Sequence, residues 1–275
     1  MILKNKVALI TGGSGYIGKA ISRAFLREGA KVMLIARSVD ELLAAKNELS
    51  DGFKSVEICK ADVTHSTDVK NLVKKTLKIF GKIDILVNAA GIYGPIGSSL
   101  DVDFDKWKQT FEINVFGTFN LMQRVLPIMI KKGRGKIINF SGGGDGPFPR
   151  FSAYNSSKAA VVRLTETMAA EVKDYHIDIN AIAPGPVNSR FLQQALEAGE
   201  EAVGKKRYQA LLKQKNEGGV PPEKAANLCV FLASSASDGL TGKFLSAVWD
   251  DWKNWDKNKI AQIMKSDKYT LRRVK

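Results

Sequence analysis

The sequence contains very little cysteine or histidine. Of its 275 residues, two are cysteine and two are histidine. Cys59 and Cys229 lie far apart and lack the paired spacing of a disulfide framework or a zinc site. We therefore expect buried thiols in a reducing compartment, and no metal site.

Long apolar runs are also missing. No run approaches the roughly 18–20 residues that a membrane helix needs. The first residues, MILKNKVALITGG, lead directly into a strand-and-turn pattern without the cleavage site of a signal peptide. With 44% hydrophobic and 25% charged residues, the composition excludes a disordered chain. We expect a cytoplasmic globular protein.

Acidic residues are outnumbered by basic ones, 28 to 42, which gives a net charge of +14. Residues 253–275 hold eight Lys or Arg and two Asp, and they are predicted to form a polar, basic tail. Such a charge raises anionic ligands, membranes and nucleic acids as partners. The basic residues are not interleaved with stacking aromatic residues, so no nucleic-acid partner is expected.

Short apolar, β-branched segments alternate with segments of helical periodicity. The predicted strands are 7–10, 31–35, 55–60, 83–87, 136–140, 178–182 and 244–248, and the predicted helices are 18–28, 40–49, 68–80, 104–130, 156–175 and 222–233. This alternation predicts an α/β fold with a doubly wound, seven-stranded, mostly parallel sheet and helices on both faces. We expect one domain over residues 1–252, with a helical flap at about 189–219.

A glycine-rich turn follows the first predicted strand and opens a helix. The turn comprises Gly12, Gly13, Ser14, Gly15, Tyr16, Ile17 and Gly18. Three of its glycines have the spacing G-x-G-x-x-G, which lets the backbone approach a pyrophosphate at the start of a helix. In this strand–turn–helix context the motif predicts a dinucleotide site.

Arg37 closely follows the second predicted strand, at a position where an NAD-binding protein would carry an acidic residue. An arginine can pair with a 2′-phosphate, which an acid would repel. The residue therefore favours NADP(H) over NAD(H), and a solvent-facing arginine is the alternative.

Tyr154 and Lys158 are four residues apart, so on a helix they share one face. A neighbouring ammonium group stabilises a phenolate and thereby suits tyrosine to proton transfer. Ser141 follows the fifth predicted strand, where its hydroxyl could polarise a carbonyl oxygen. Asn114 lies inside a predicted helix, an unfavourable position that suggests a specific hydrogen bond.

Together these motifs, in this order, resemble the short-chain dehydrogenase/reductase family over roughly residues 3–250. The resemblance adds Asp62 and Val63 at the adenine, Asn88, Ala89 and Gly91 after the fourth strand, and Pro184, Gly185, Val187 and Ser189 at the nicotinamide. It implies an NADP(H)-dependent, Rossmann-type oxidoreductase that interconverts a carbonyl and a secondary alcohol, similar to 3-oxoacyl-acyl-carrier-protein reductases. It also implies that Tyr154 is the acid/base, that Lys158 holds the nicotinamide ribose, and that Asn114 supports a water in a proton relay.

The sequence departs from the family pattern at three positions. Tyr16 replaces a glycine, which is similar to the branch that modifies nucleotide sugars, and Ala89 replaces an asparagine. Ser141 lies 13 residues before Tyr154, but alignment of the strand end points to Gly142 instead. A nucleotide-sugar epimerase or dehydratase, and a non-catalytic dinucleotide-binding homologue suggested by the glycine run 142–144, remain alternatives.

Two further patterns concern packing and assembly. Trp249, Trp252 and Trp255 recur every third residue, which predicts either closure of the sheet end or a cap over the substrate cleft, with the basic tail attracting an anionic substrate. The helix after Tyr154 is apolar around much of its circumference at Val161, Val162, Leu164, Met168 and Ala169. We expect a homodimer or homotetramer.

Overall fold

A computed structural model describes residues 1–53, 55–143 and 145–272 of the chain. Its strands are β1 (Val7–Thr11), β2 (Lys31–Ala36), β3 (Val56–Lys60), β4 (Ile85–Asn88), β5 (Gly135–Phe140), β6 (Ile177–Ala183) and β7 (Phe244–Ser246). They form one sheet in the order β3-β2-β1-β4-β5-β6-β7, and every neighbouring pair is parallel. The predicted α/β sheet is confirmed.

Helices cover both faces of this sheet. Within the described residues they are α1 (Tyr16–Arg27), α2 (Val39–Ser50), α3 (Ser66–Phe80), α4 (Phe104–Phe111), α5 (Gly117–Lys132), α6 (Ser152–Glu171), α7 (Arg190–Glu197), α8 (Gly199–Val203), α9 (Lys205–Glu217), α10 (Pro222–Ala233) and α11 (Lys257–Met264). Because strands such as β1 are covered on both sides, all five of its residues are buried. Ile10 packs with Phe25 in the core on one face, and Leu9 packs with Met122 in the core on the other.

The order of the strands sets the position of a cleft. The chain runs from β1 outward to β3 and then crosses back to β4 on the other side of β1. At such a switch point the loops after neighbouring strands diverge and leave a crevice at the carboxyl ends of the strands.

The single helix predicted over 104–130 is interrupted. Residues Glu112–Phe116 form a π-helical turn between α4 and α5. Asn114 lies in this turn, and its side chain bonds to the backbone of Ile92 instead of facing solvent. Periodicity alone does not reveal such an insertion, because the apolar spacing continues on both sides of it.

The polar tail predicted from residue 253 is corrected by the structure over 253–272, while 273–275 lie outside the described residues. Trp255, Ile260 and Ile263 are buried in the same core as Leu245 of β7. The high charge of the segment lies on its outer face, because an amphipathic helix presents charge on one side only. The boundary suggested at residue 252 therefore separates no independent unit.

The region interpreted as a flap contains α7, α8 and α9. Leu192, Ala195 and Leu211 from these helices are buried against Phe151 and Tyr154 near the start of α6. The flap helices therefore cover the position where Tyr154 lies.

Candidate active site

The turn between β1 and α1 has the backbone geometry that a pyrophosphate requires. Gly12 has a φ of +64°, and a Cβ at Gly18 would lie 2.1 Å from the Gly12 carbonyl oxygen. Helix α1 begins at Tyr16, and its N-cap residue, Gly15, provides no side-chain cap. The first N–H groups of α1 are therefore available to an anion.

The turn is fastened to the end of β4 by Thr11. Its hydroxyl oxygen accepts hydrogen bonds from the backbone N–H groups of Ala89 and Ala90, both at 3.0 Å. These bonds hold the two loops at the switch point next to each other.

A cleft of about 400 Å³ opens at this point. Of the predicted cofactor residues, its walls include Gly12, Ser14, Gly15, Tyr16, Ile17, Gly18, Arg37, Asp62, Val63, Ala89, Gly91 and Ser189. Gly13, Asn88, Tyr154, Lys158, Pro184, Gly185 and Val187 lie outside these walls. The cleft also includes residues that sequence reasoning missed, namely Ile35, Ala36, Ser38, Glu41, Ala61, Ala90, Ile92, Ile113, Arg190 and Phe191. Several of them directly follow or precede a predicted residue, which is the only signal the sequence offered.

The predicted residues outside the cleft walls support its sides. Asn88 is buried, and its amide donates to the Asn139 side-chain oxygen at 2.9 Å across neighbouring strands. Gly185 has a φ of +85°, and a Cβ there would lie 2.6 Å from Val248. Pro184 and Val187 belong to the same loop, which follows β6.

At one end of the cleft lie charged side chains of both signs. Arg37 makes no ion pair with any described residue. Glu41 accepts a hydrogen bond from the Ser14 hydroxyl at 3.1 Å. The carboxylate of Asp62 accepts hydrogen bonds from Thr64. Burial by itself raises the pKa of Asp62, but these bonds and nearby positive charges lower it below its usual value. Arg37 therefore remains free for an anionic ligand.

Helix α6 carries Tyr154 and Lys158 on one face, as their spacing predicts. The Lys158 ammonium nitrogen lies 5.7 Å from the centre of the Tyr154 ring and donates to the Phe140 carbonyl at 2.8 Å. Both side chains are buried. Burial lowers the pKa of Lys158 to about 8 and raises the pKa of Tyr154 above its usual range.

Asn114 connects the π-helical turn to the loop after β4 and to α6. Its side-chain oxygen accepts from the Ile92 N–H at 2.9 Å, and its amide donates to the Ile92 carbonyl at 3.0 Å. The same amide donates to the Ser157 hydroxyl at 2.9 Å. The π-helical turn, the loop after β4 and α6 are thus held together at one point, beside Lys158.

Gly91 joins this group to the cleft. It lines the cleft, and a Cβ at this position would lie 3.1 Å from the Asn114 side-chain oxygen and 3.3 Å from the Lys158 nitrogen. Lys158 therefore lies next to the wall of the cleft, and Tyr154 lies one helical turn before it on α6.

Ser141 and Gly142 differ in how they are oriented relative to Tyr154. The Ser141 hydroxyl is buried and bonds to the carbonyls of Gly143 at 2.7 Å and Lys158 at 3.2 Å. A Cβ at Gly142, in contrast, would lie 3.1 Å from the Tyr154 hydroxyl oxygen. Gly142 thus occupies the position that faces Tyr154. Gly144, the last residue of the glycine run, lies outside the described residues.

Aromatic rings surround Tyr154. The Tyr93 ring lies edge-on to Tyr154, with 4.7 Å between the ring centres, and it also contacts Phe151 at 5.1 Å and Phe191 at 4.5 Å. Phe191 is the first-turn residue of α7 and lines the cleft. Sequence reasoning missed Tyr93 and Phe191, since nothing in the sequence relates them to Tyr154.

The described ranges lack both a membrane-spanning helix and a metal-binding cluster. No helix among these residues is both long and apolar enough to cross a membrane. No group of three or more His, Cys, Asp or Glu side chains in the same ranges could hold a metal ion.

A nucleotide-binding parallel sheet with a buried Tyr–Lys pair beside its cleft defines an oxidoreductase of the dinucleotide-dependent class. A family model described as short chain dehydrogenase matches residues 6–200. The chain belongs to the short-chain dehydrogenase family. As a member of this family, it is an oxidoreductase.

Two curated relatives illustrate the range of the family. The chain is 37% identical over 243 residues to 2-(S)-hydroxypropyl-CoM dehydrogenase 3 of Xanthobacter autotrophicus, covering 87% of this chain and 94% of the relative. It is 33% identical over 250 residues to a 3-oxoacyl-[acyl-carrier-protein] reductase of Thermotoga maritima, covering 89% and 97%.

Solved structures agree with the fold. An NAD⁺-bound xylitol dehydrogenase superimposes with a TM-score of 0.81 at 30% identity, covering 90% of this chain and 98% of the other. An actinorhodin polyketide ketoreductase variant with NADPH gives 0.81 at 26% identity, covering 91% and 98%. Since one neighbour holds NAD⁺ and the other NADPH, the family alone does not determine which dinucleotide this chain prefers.

Proposed function

We propose that the protein is an NADP(H)-dependent oxidoreductase in which Tyr154 exchanges the proton. The observation that carries this proposal is the position of Gly91, which lines the cleft and where a Cβ would lie 3.3 Å from the Lys158 nitrogen and 3.1 Å from the Asn114 side-chain oxygen. A carbonyl substrate reduced there would have its oxygen beside the Tyr154 hydroxyl.

The cleft residues fit a dinucleotide. The glycine turn and the start of α1 would hold the pyrophosphate, and Asp62 and Val63 would border the adenine. Pro184, Gly185, Val187 and Ser189 would lie on the nicotinamide side. When bound, the dinucleotide supplies the hydride for reduction of the carbonyl carbon, or accepts it in the reverse direction.

Tyr154 would deliver the proton that completes the alcohol. Burial raises its pKa, so the phenol carries its proton at neutral pH, which is the form that protonates a developing alkoxide. Lys158 would stabilise the phenolate that remains after Tyr154 has delivered its proton, because a nearby positive charge stabilises a phenolate. Asn114 would hold the loop of Ile92 and the start of α6 in register.

The Ser141 hydroxyl is already engaged in hydrogen bonds within the protein. Its hydroxyl has one proton, and it would have to turn away from the Gly143 and Lys158 carbonyls to donate to a substrate oxygen. The predicted polarising role therefore needs a local rearrangement.

Arg37 supports the preference for NADP(H). It lines the cleft without an ion pair in the described part of the chain, so its guanidinium can pair with a 2′-phosphate at little cost. Arg190 of the flap also lines the cleft without an ion pair in the described part of the chain, which favours a substrate with an acidic group.

Exposed aromatic side chains support a homo-oligomer. Phe104, Phe116 and Phe119 are exposed on and around α4 and α5. In contrast, Val161 and Val162 of α6 are buried within the single chain. An assembly would therefore involve α4 and α5 more than the apolar positions of α6 on which the sequence-based expectation rested.

A carbonyl panel tests the proposed function. NADPH oxidation is followed with an acetoacetyl thioester, levodione and xylulose, and a UDP-hexose with NAD⁺ tests the nucleotide-sugar alternative. We expect turnover with at least one carbonyl compound, and a fall of about 10²–10⁴-fold in Tyr154→Phe with NADPH binding retained. Normal turnover in Tyr154→Phe would remove Tyr154 from the mechanism, and binding of NADPH without any turnover would favour the non-catalytic alternative.

A further inference from the structure

The site has no side-chain hydroxyl where one would be expected to face Tyr154. Gly142 occupies that position, and its φ of +94° is a conformation that a serine would adopt only with strain. The neighbouring hydroxyl of Ser141 is committed to two backbone carbonyls. A carbonyl oxygen beside Tyr154 would therefore have one phenol as a donor and would need a second donor for full stabilisation.

Tyr93 is placed to be that donor. Its ring lies 4.7 Å from the Tyr154 ring at an interplanar angle of 83°, so the two phenols are in edge-to-face contact. Gly91, two residues earlier, lines the cleft next to Lys158. Phe151 and Phe191 hold the Tyr93 ring from two further sides.

The Tyr93 hydroxyl is also available. It makes no hydrogen bond to any residue in the described ranges, and the side chain is half-buried. The hydroxyl can therefore donate to a ligand or to solvent. The negative charge of an ionised Tyr93 would also raise the pKa of Tyr154, which means that the two phenols interact.

We propose that Tyr93 donates the second hydrogen bond to the substrate oxygen and takes the place of the hydroxyl that Gly142 lacks. This inference rests on the proposed function. In reduction, the substrate oxygen receives its proton from Tyr154, while Tyr93 keeps its own proton and stabilises the developing negative charge. Tyr93 thus contributes electrostatic stabilisation and no net proton transfer.

The test compares Tyr93→Phe with the wild-type enzyme on whichever carbonyl compound of the panel the wild type reduces. The variant keeps the ring contacts, so we expect unchanged thermal stability and NADPH affinity, with kcat/KM lower by roughly 10²-fold. Tyr208→Phe is the matched control, because Tyr208 belongs to the same aromatic cluster without a ring contact to Tyr154 among the described residues. We expect its kinetics to stay within about twofold of the wild type.

A second measurement does not depend on turnover. With oxidised cofactor and the carbonyl compound, no reaction occurs, and the affinity for the carbonyl compound can be followed by tryptophan fluorescence. Loss of one hydrogen bond to a neutral oxygen should weaken this affinity about 2- to 10-fold in Tyr93→Phe and not in Tyr208→Phe.

The outcomes distinguish this inference from the proposed function. A wild-type enzyme that reduces no carbonyl compound would overturn the proposed function and this inference with it. An active wild type with unchanged kinetics and carbonyl binding in Tyr93→Phe would overturn this inference alone. If Ser141→Ala then loses activity as Tyr154→Phe does, the second donor is Ser141.

Discussion

Arg37 and Glu41 bring opposite charges to one end of the cleft. Both line the cleft, and Glu41 is one helical turn further along the chain, where it binds the Ser14 hydroxyl. A 2′-phosphate would be attracted by Arg37 and repelled by Glu41. The preference between the two dinucleotides is therefore a balance of these two side chains.

Arg37→Asp should remove the preference for NADPH. Loss of a charge-assisted hydrogen bond costs about 1.5–3 kcal/mol, so we expect NADPH affinity to fall about 10- to 100-fold while NADH affinity changes little. Fluorescence titration with both cofactors measures this ratio. Arg27→Asp, at the far end of α1, is the control and should leave the ratio unchanged. Equal affinity of the wild type for both cofactors would contradict the prediction.

Lys158 connects proton exchange with the stability of the protein. Its pKa is about 8 in the folded protein because of burial, compared with 10.5 for an ordinary lysine. Between pH 8 and 10.5 the unfolded chain therefore binds more protons than the folded one, and wild-type stability rises with pH across this range. Below pH 8 the buried ammonium lowers the free energy of unfolding by about 3 kcal/mol.

Lys158→Met should stabilise the cofactor-free protein while impairing activity. Removal of the buried charge raises the free energy of unfolding, and loss of the hydrogen bond to Phe140 lowers it by a smaller amount. We therefore expect a net rise of about 2 kcal/mol at pH 7. This gain should shrink as the pH approaches 10.5. Urea unfolding at several pH values measures it, with the exposed Lys213→Met as a control. A variant less stable than the wild type at pH 7 would contradict the burial argument.

At the scale of elements, the segment after β7 behaves as part of the core. The Phe244 N–H donates to the Tyr269 carbonyl at 2.8 Å, and the Lys243 ammonium donates to the carbonyls of Ser266 and Lys268. The Leu271 N–H donates to the Glu166 carboxylate on α6. These contacts attach the segment to the edge strand of the sheet.

Two of the three tryptophans after β7 are buried in the core, and the third is exposed. Trp252 packs against Phe231 of α10, and Trp255 packs against Tyr269. Trp249 is 69% exposed, one residue after Val248, which contacts the loop of Gly185. Two of the indoles thus close the end of the sheet, and one stays in solvent near the loop that follows β6.

Deletion of residues 256–275 should destabilise the protein. The deletion removes the buried Ile260 and Ile263, which together contribute about 3–6 kcal/mol. We expect a lower thermal midpoint, and Lys259→Ala on the exposed face of α11 serves as the control. If the deletion instead leaves unfolding unchanged and raises KM with a strong dependence on ionic strength, the segment attracts an anionic substrate rather than stabilising the fold.

At the scale of the whole molecule, the site is assembled from elements far apart in sequence. The cleft lies where β1 and β4 are neighbours, with the glycine turn on one side and the loop of Gly91 on the other. Helix α6 brings Tyr154 to this point from residue 152 onward, and α7 covers it with Phe191. Both faces of the sheet must therefore fold before the site is complete.

The sequence by itself determined the sheet, the dinucleotide turn and the pairing of Tyr154 with Lys158. These follow from local rules, since strand and helix periodicity and an i, i+4 spacing depend on neighbours in the chain. The glycine at position 18 belongs to the same group, because its need for close packing on Gly12 arises within one turn.

Only the tertiary structure decided how the space around Tyr154 is filled. The sequence left Ser141 and Gly142 as alternatives for the residue that faces Tyr154. Which of them does so depends on the left-handed backbone at Gly142, and the spacing of residues in the sequence does not encode that conformation. The contacts of Tyr93 and Phe191 with Tyr154 join residues about 40–60 positions apart, and no local pattern predicts them. The burial of α11 likewise depends on the edge of β7. Long-range packing, rather than local propensity, determines which side chains reach the substrate.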